Sequence, residues 1–268
     1  MLGLSRRALL DSPINFLWGL AVWLFLDLLS YPALWKYTLF ILTLSFSITV
    51  KEMSVVLIPF FVLAGVWGRF KGRPVKTWQI LGVIFIPAFV VLFFYAGVLG
   101  GLEPLRLAAA GVFKTHFDIR PGPYAVYFCS GPWFRYVLDF LLLTPLVTLL
   151  FIGYCFVFVC EPGAGDWKQK YFLWYFVFIY AVMSSLMHSK VVRVMVNLEM
   201  VMALFAVFML MRLSARYPLE RRKIWLLYTA FAVFLFNMEG FLRLFYFSGL
   251  LDPISYHLLA LRGFIPSH

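Results

Sequence analysis

The sequence predicts an all-α, polytopic transmembrane helical bundle with about seven crossings, and three observations predict it. Hydrophobic residues make up 63% of the chain and charged residues only 13%, against about 25% charged in soluble domains. Basic residues lie mostly between the apolar blocks, as the positive-inside rule describes. The blocks are compatible with the about 20 residues that a spanning helix needs, and they lie at 14–30, 34–67, 78–100, 137–160, 171–187, 194–211 and 224–247. We therefore expect 1–268 to form a single membrane-embedded domain.

The net charge of +11 has a topological explanation. Basic residues placed between apolar spans orient a membrane protein, so we exclude nucleic acid as a partner and expect membrane lipids around the chain. The three cysteines form no CxxC motif, and their odd number argues against a closed disulfide framework. Since the sequence also has no His/Cys cluster or Asp-x-Asp motif, we predict no metal and no cofactor.

The first block resembles a signal peptide because Arg6 and Arg7 precede it. No small-x-small cleavage site follows, and Asp27 interrupts the block, so we predict a retained span with a cytoplasmic N-terminus. The positive-inside rule places the other basic connections on the same side. These are Arg69, Lys71, Arg73 and Lys76, then Lys168 and Lys170, then Arg212, Arg216, Arg221, Arg222 and Lys223.

The block 34–67 is too long for one straight crossing. As a continuous helix it would extend about 51 Å, against a hydrocarbon core of about 30 Å. Lys51 and Glu52 divide it, so we expect a break near Lys51 or a strong tilt. For the N-terminus and the 69–76 connection to share a side, 34–67 must cross a net once.

This topology places three segments on the outer face: the 101–136 loop, the step at 187–193 and the tail from Ser248. The 101–136 loop is long for a structureless connector, and such loops are usually functional or locally folded. Its carboxylates Glu103 and Asp118 are the candidates for catalysis there. Asp118 is the better one because His116 and Arg120 flank it.

Aromatic residues end the same loop. Trp133, Phe134 and Tyr136 surround Arg135 immediately before an apolar block. They fit an aromatic belt at the membrane interface, and they equally fit a platform on which aromatic faces and charged edges hold a sugar. Their position in the sequence leaves both interpretations open.

A short charged step at 187–193 separates two apolar blocks and contains His188, Lys190 and Arg193. Because each neighbouring block is long enough to enter a bilayer, the step should lie at a membrane surface. The two cations and the histidine could hold an anionic lipid head group. Alternatively, Lys190 and Arg193 anchor helix ends by snorkelling.

Three stretches resemble bacterial C-type glycosyltransferases, relatives of protein O-mannosyltransferases and aminoarabinose transferases. Residues 130–146 (SGPWFRYVLDFLLLTPL) resemble the loop-to-helix junction of that family. Residues 46–59 (FSITVKEMSVVLIP) resemble its short helix with a lysine before an apolar, proline-ended run. The step at 187–193, followed by 194–202, resembles its basic outer step. The resemblance extends over about 14–268 and is carried by loose hydrophobic patterns.

The family transfers a sugar from a polyprenyl-phosphate carrier to an acceptor outside the membrane. The resemblance therefore implies a polyprenyl-phosphate-linked sugar, a lipid, glycan or protein acceptor, and a bacterial inner membrane location. It implies that Lys190 and Arg193 bind the lipid phosphate and stabilise it as a leaving group, which preplaced cations do well. The substrate-binding candidates are His188, Lys190, Arg193, Lys51, Trp133, Arg135 and Arg120.

The chain departs from the family near its beginning. Family members carry an outer loop with an acidic catalytic base after the first span, whereas here only 31–33 separates the first two blocks. The chain is therefore either a truncated enzyme, or an enzyme whose partner chain supplies the base, or a noncatalytic subunit. A transporter is a further alternative, because Lys51 and Glu52 could form a proton-relay pair at a broken helix.

Overall fold

The computed structural model describes residues 2–117, 132–161, 166–185 and 192–241. Within these ranges the chain is all-helical, which confirms the predicted fold class; the count of seven crossings stays a prediction. The helices are α1 (Leu2–Ser30), α2 (Leu34–Val50), a 3₁₀ helix (Glu52–Val56), α3 (Leu57–Phe70), α4 (Thr77–Leu99), α5 (Leu102–Phe117), α6 (Arg135–Leu143), α7 (Pro145–Cys160), α8 (Trp167–Ser185), α9 (Val192–Ser214) and α10 (Leu219–Phe241).

Four segments of the described chain are long and apolar enough to cross a membrane: Pro13–Ser30, Met53–Phe70, Thr77–Leu99 and Asn197–Ser214. Two shorter apolar helices are α2 and α7. Only 11% of the apolar window in α4 is buried, and large side chains such as Phe85, Phe89 and Phe93 are exposed. Such a surface suits lipid tails rather than water, so these helices support the prediction that the chain is a membrane protein.

The chain divides into two compact units. Unit 1 contains Met1–Pro121 and Trp167–Val182, and unit 2 contains Gly122–Asp166 and Met183–His268. Each unit is described separately below.

Unit 1 contains the break that the sequence predicts in 34–67. Helix α2 ends at Val50, and Lys51 is extended with φ −150° and ψ 115° before the 3₁₀ helix begins. The buried Trp18 Nε1 donates a 2.8 Å hydrogen bond to Ser54 Oγ, which fixes the 3₁₀ helix against α1. The break near Lys51 is therefore confirmed.

The two arms on either side of this break run antiparallel. Phe40 on α2 packs edge-to-face on Phe61 of α3, with ring centroids 4.8 Å apart. These residues lie about equally far from the break, on opposite arms. Residues 34–67 thus form a helical hairpin that returns to its starting end, in contrast to the expected single net crossing.

Helix α1 runs parallel to α3. Trp18 contacts Ser54, Phe25 packs on Phe61 at 5.0 Å, and the end of α1 lies beside Gly68. The 69–76 connection therefore lies where α1 ends, opposite the beginning of α1. The hairpin thus places the beginning of α1 and the 69–76 connection at opposite ends of unit 1, and the membrane side of each stays a prediction.

Helix α4 runs parallel to α2. Tyr37 Oη donates to the carbonyl oxygen of Gln79 at 3.1 Å near both beginnings, and Tyr95 Oη donates to that of Thr49 at 2.7 Å near both ends. Unit 1 therefore has two distinct ends. We call them the Lys51 end, where α4 finishes and α5 begins, and the basic end, which contains Arg69, Lys71, Arg73, Lys76, Lys168 and Lys170.

Unit 2 is built on the packing of α7 against α9. Aromatic rings join these helices, with Tyr154 and Phe205 centroids 5.2 Å apart. Thr144, at φ −136° and ψ 61°, separates α6 from α7. Pro145 then begins α7, where its missing N–H leaves no bond unmade.

Candidate functional site

The charged step at 187–193 connects two helices. Helix α8 ends at Ser185 and α9 begins at Val192. His188 and Lys190 lie outside the described residues, and Arg193 falls in the first turn of α9, where the structure describes the backbone alone. The roles predicted for these three residues stay predictions.

Glu103 lies in the first turn of α5, on the exposed surface. Its Oε1 accepts a 2.8 Å hydrogen bond from Arg106 Nη2, and the two side chains are 65% and 76% exposed. An exposed pair of this kind contributes little stability. Helix α5 continues to Phe117, and the other predicted carboxylate, Asp118, lies outside the described residues together with Arg120.

Lys51 occupies the interruption between α2 and the 3₁₀ helix. Its backbone N–H donates to the carbonyl oxygen of Ser47 at 3.0 Å, which closes the last turn of α2, and its side chain is half-buried. The hydrogen bond between Tyr95 and Thr49 brings the final turns of α2 and α4 together. Lys51 and the beginning of α5 are therefore at the same end of unit 1.

Trp133 and Arg135 have opposite environments in unit 2. Trp133 is 66% exposed and packs edge-to-face on Phe134, with centroids 5.8 Å apart. Arg135 is only 3% exposed, and its Nε lies 3.9 Å from Oδ2 of Asp139, which is 1% exposed. The aromatic pair can meet a sugar ring or the membrane interface, whereas the guanidinium lies inside the unit.

The sequence analysis did not predict the ion pairs of Arg135 with Asp139 and of Lys36 with Asp27. Arg135 and Asp139 are four residues apart, a spacing that places both on one face of α6 and could have predicted the pair. Asp27, which had no assignable partner, lies 2.6 Å from Lys36 Nζ. The turn between α1 and α2 brings these two residues together, so this contact depends on how the helices pack.

The described residues contain no group of three or more His, Cys, Asp or Glu that could hold a metal ion. Comparison with protein-family models, with curated proteins and with solved structures finds no match for this chain.

Proposed function

We propose that this chain is a membrane glycosyltransferase of the C type. It transfers a sugar from a polyprenyl-phosphate donor to a lipid, glycan or protein acceptor at the outer membrane face. The observation that carries the proposal is the place of the basic step in the chain: Lys190 lies in the sequence between the apolar helices α8 and α9, and Arg193 lies in the first turn of α9. A junction between apolar helices is where the head group of a lipid-linked donor would meet protein cations.

The transfer consists of one substitution at the anomeric carbon. An acceptor hydroxyl oxygen forms the new bond to that carbon, and the bond between the carbon and the phosphate oxygen breaks. The electron pair leaves with the polyprenyl phosphate, and a base takes the acceptor proton. Lys190 and Arg193 stabilise the charge that develops on the phosphate, with Arg offering two parallel donors and Lys a point charge.

The base is proposed to be Asp118 or a carboxylate of a partner chain. Asp118 is the better candidate because His116 and Arg120 flank it in the sequence. Glu103, the other candidate, already accepts a hydrogen bond from Arg106.

The donor step is tested by binding. The purified chain is exposed to a photoreactive polyprenyl-phosphate probe, and crosslinking is compared between the wild type and Lys190→Ala/Arg193→Ala. The matched control is Arg221→Ala/Lys223→Ala, which removes two exposed cations from α10. We expect a loss of about tenfold or more in the first variant alone, since hydrogen bonds to charged groups contribute about 1.5–3 kcal/mol each. If Lys190→Ala/Arg193→Ala crosslinked as much probe as Arg221→Ala/Lys223→Ala, Lys190 and Arg193 would not bind the donor.

The catalytic step is tested by transfer of a radiolabelled sugar in proteoliposomes. Asp118→Asn should abolish transfer while probe binding stays normal, and Glu103→Gln should leave most of it. Transfer that survives in both variants means that the base is neither carboxylate and lies elsewhere in the chain or on a copurified partner. A wild-type chain that binds the probe without any transfer is a noncatalytic subunit.

The break at Lys51 favours a second candidate, a small-solute or ion transporter. In a transporter, Lys51 and Glu52 would form a proton-relay pair where the apolar segment 34–67 is interrupted. Uptake of a labelled solute into proteoliposomes that is lost in Lys51→Ala would support transport and displace the transferase proposal.

A further inference from the structure

The basic end of unit 1 contains a large groove that no step of the proposed transfer uses. Helices α3 and α8 run antiparallel and border an open groove of about 750 Å³. Tyr171 Oη reaches the carbonyl oxygen of Ala64 at 3.4 Å and forms the floor. Phe60 packs on Tyr175 and Phe178, with centroids 5.2 and 5.8 Å away, and closes the inner end.

Three cations surround the other end of the groove: Lys71, Arg73 and Lys170. The Arg73 guanidinium carbon lies 3.9 Å above the Trp167 ring, and Lys71 Nζ lies 5.1 Å from the Trp67 ring. Throughout 2–117, 132–161, 166–185 and 192–241, no carboxylate forms an ion pair with any of the three. The mouth is therefore a concentration of positive charge without a described counterion.

The walls of the groove are apolar and open to the surroundings. Leu63, Trp67, Phe70 and Trp174 line it and are 54%, 49%, 82% and 59% exposed. From Phe60 at the closed end to the cations, α3 advances about 16 Å at 1.5 Å per residue. A long apolar channel with cations at one end is complementary to a molecule that has one apolar chain and one anionic head.

We propose that this groove binds an anionic phospholipid. Its phosphate lies among Lys71, Arg73 and Lys170, and one acyl chain lies along the aromatic wall toward Phe60. Charge complementarity selects this occupant, because basic pockets between membrane helices bind anionic head groups. The site is at the end of unit 1 opposite Lys51, and it stands independently of the proposed transfer.

Selectivity comes from the head group. Lipid tails elsewhere in the bilayer are as apolar as the groove, so moving a tail into it gains little. Each basic residue near an anionic lipid contributes about 1 kcal/mol, which corresponds to about fivefold in affinity. The groove should therefore prefer phosphatidylglycerol over phosphatidylcholine, whose tails are alike and whose net charges differ.

The test measures lipid retained by the purified full chain. Protein from nanodiscs containing equal amounts of phosphatidylglycerol and phosphatidylcholine is washed in detergent, and bound lipid is counted by native mass spectrometry. Lys71→Gln/Lys170→Gln should lower phosphatidylglycerol affinity by about 30-fold, as two charges at about fivefold each imply. The matched control, Lys76→Gln/Lys168→Gln, removes two cations of the same end that do not line the groove and should stay within about twofold.

A second variant tests the groove without changing charge. Leu63→Trp places a larger side chain in the channel and should reduce retained phosphatidylglycerol while all cations remain. Three results would overturn the proposal: equal retention of the two lipids, equal loss in the groove and control double variants, or displacement of the lipid by inorganic phosphate alone. Displacement by polyprenyl phosphate, but not by added phosphatidylglycerol, would also overturn it, because the groove would then be a donor site.

Discussion

Removing Arg135 should destabilise unit 2 strongly, because its partner would remain buried. In Arg135→Met the apolar part of the side chain is largely kept and the charge is lost. Asp139 is 1% exposed and its Oδ2 lies 3.9 Å from Arg135 Nε. Breaking a buried pair by removing one partner costs about 3–5 kcal/mol, because the remaining charge loses this attraction while it stays away from water.

The matched comparison is Arg106→Met, which makes the same substitution in an exposed pair. Arg106 and Glu103 are 76% and 65% exposed, and exposed pairs contribute about 0–1 kcal/mol. The double variant Arg135→Met/Asp139→Leu removes both buried charges. It should recover most of the loss, because replacing a whole buried pair by apolar residues is often neutral.

Unfolding in mixed micelles, with rising denaturing detergent and far-ultraviolet circular dichroism as the signal, gives the free energy of each variant. The coupling energy between positions 135 and 139 should reach several kcal/mol, at about the 3–5 kcal/mol scale of a buried pair. The reasoning fails if Arg135→Met costs no more than Arg106→Met. It also fails if the double variant is as unstable as the sum of its single substitutions.

Three further predictions concern unit 1. Gly82→Ala should cost about 1–3 kcal/mol because its Cβ would overlap the Tyr37 hydroxyl, and Tyr37→Phe in the same chain should restore part of that loss in a thermal melt. Trp18→Phe should cost about 1–3 kcal/mol by leaving the fully buried Ser54 hydroxyl without its donor; adding Ser54→Ala should recover stability, and no recovery would contradict this account. In a chain without native cysteines, an N-terminal cysteine and Pro74→Cys should react with impermeant maleimide from opposite sides of the membrane; labelling from one side would contradict the hairpin.

The sequence predicted the break in 34–67 because its signal is local. A lysine and a glutamate in the middle of an apolar block are costly inside a membrane helix, and α2 indeed ends at Val50. The length of the block also predicted a break, because one straight helix of that length would exceed the thickness of the hydrocarbon core. The all-helical class followed equally directly from composition.

The hairpin could not be predicted in the same way, because the direction of the second arm depends on packing. The positive-inside rule counts basic residues, and both ends of α1 have some: Arg6 and Arg7 at its beginning, Lys36 and the 69–76 connection beyond its end. Contacts between Phe40, Phe61 and Phe25 decide the direction. A phenylalanine in one apolar block cannot be distinguished by sequence from a phenylalanine in another. The sequence therefore does not indicate which rings contact each other.

For the candidate site residues, spacing in the sequence could indicate contacts only between residues of the same helix. Arg135 was assigned to an outer loop with Trp133, yet it begins α6 and is buried against Asp139. The aromatic pattern before an apolar block correctly indicated an exposed Trp133. Whether Trp133 is exposed and Arg135 is buried depends on where α6 begins. Sequence patterns locate such helix boundaries poorly.

Both proposals depend on how unit 1 is oriented in the membrane, because they concern opposite ends of the unit. The basic end concentrates six cations in 69–76 and in the first turn of α8, and the positive-inside rule assigns such a concentration to the cytoplasm. Lys51 and the beginning of α5 would then face outward, on the side where we propose that the transfer occurs. The phospholipid groove would face the leaflet whose anionic lipids attract basic residues. An outward-facing Pro74→Cys would reverse both assignments at once, so that single labelling result tests the side of the membrane on which each site works.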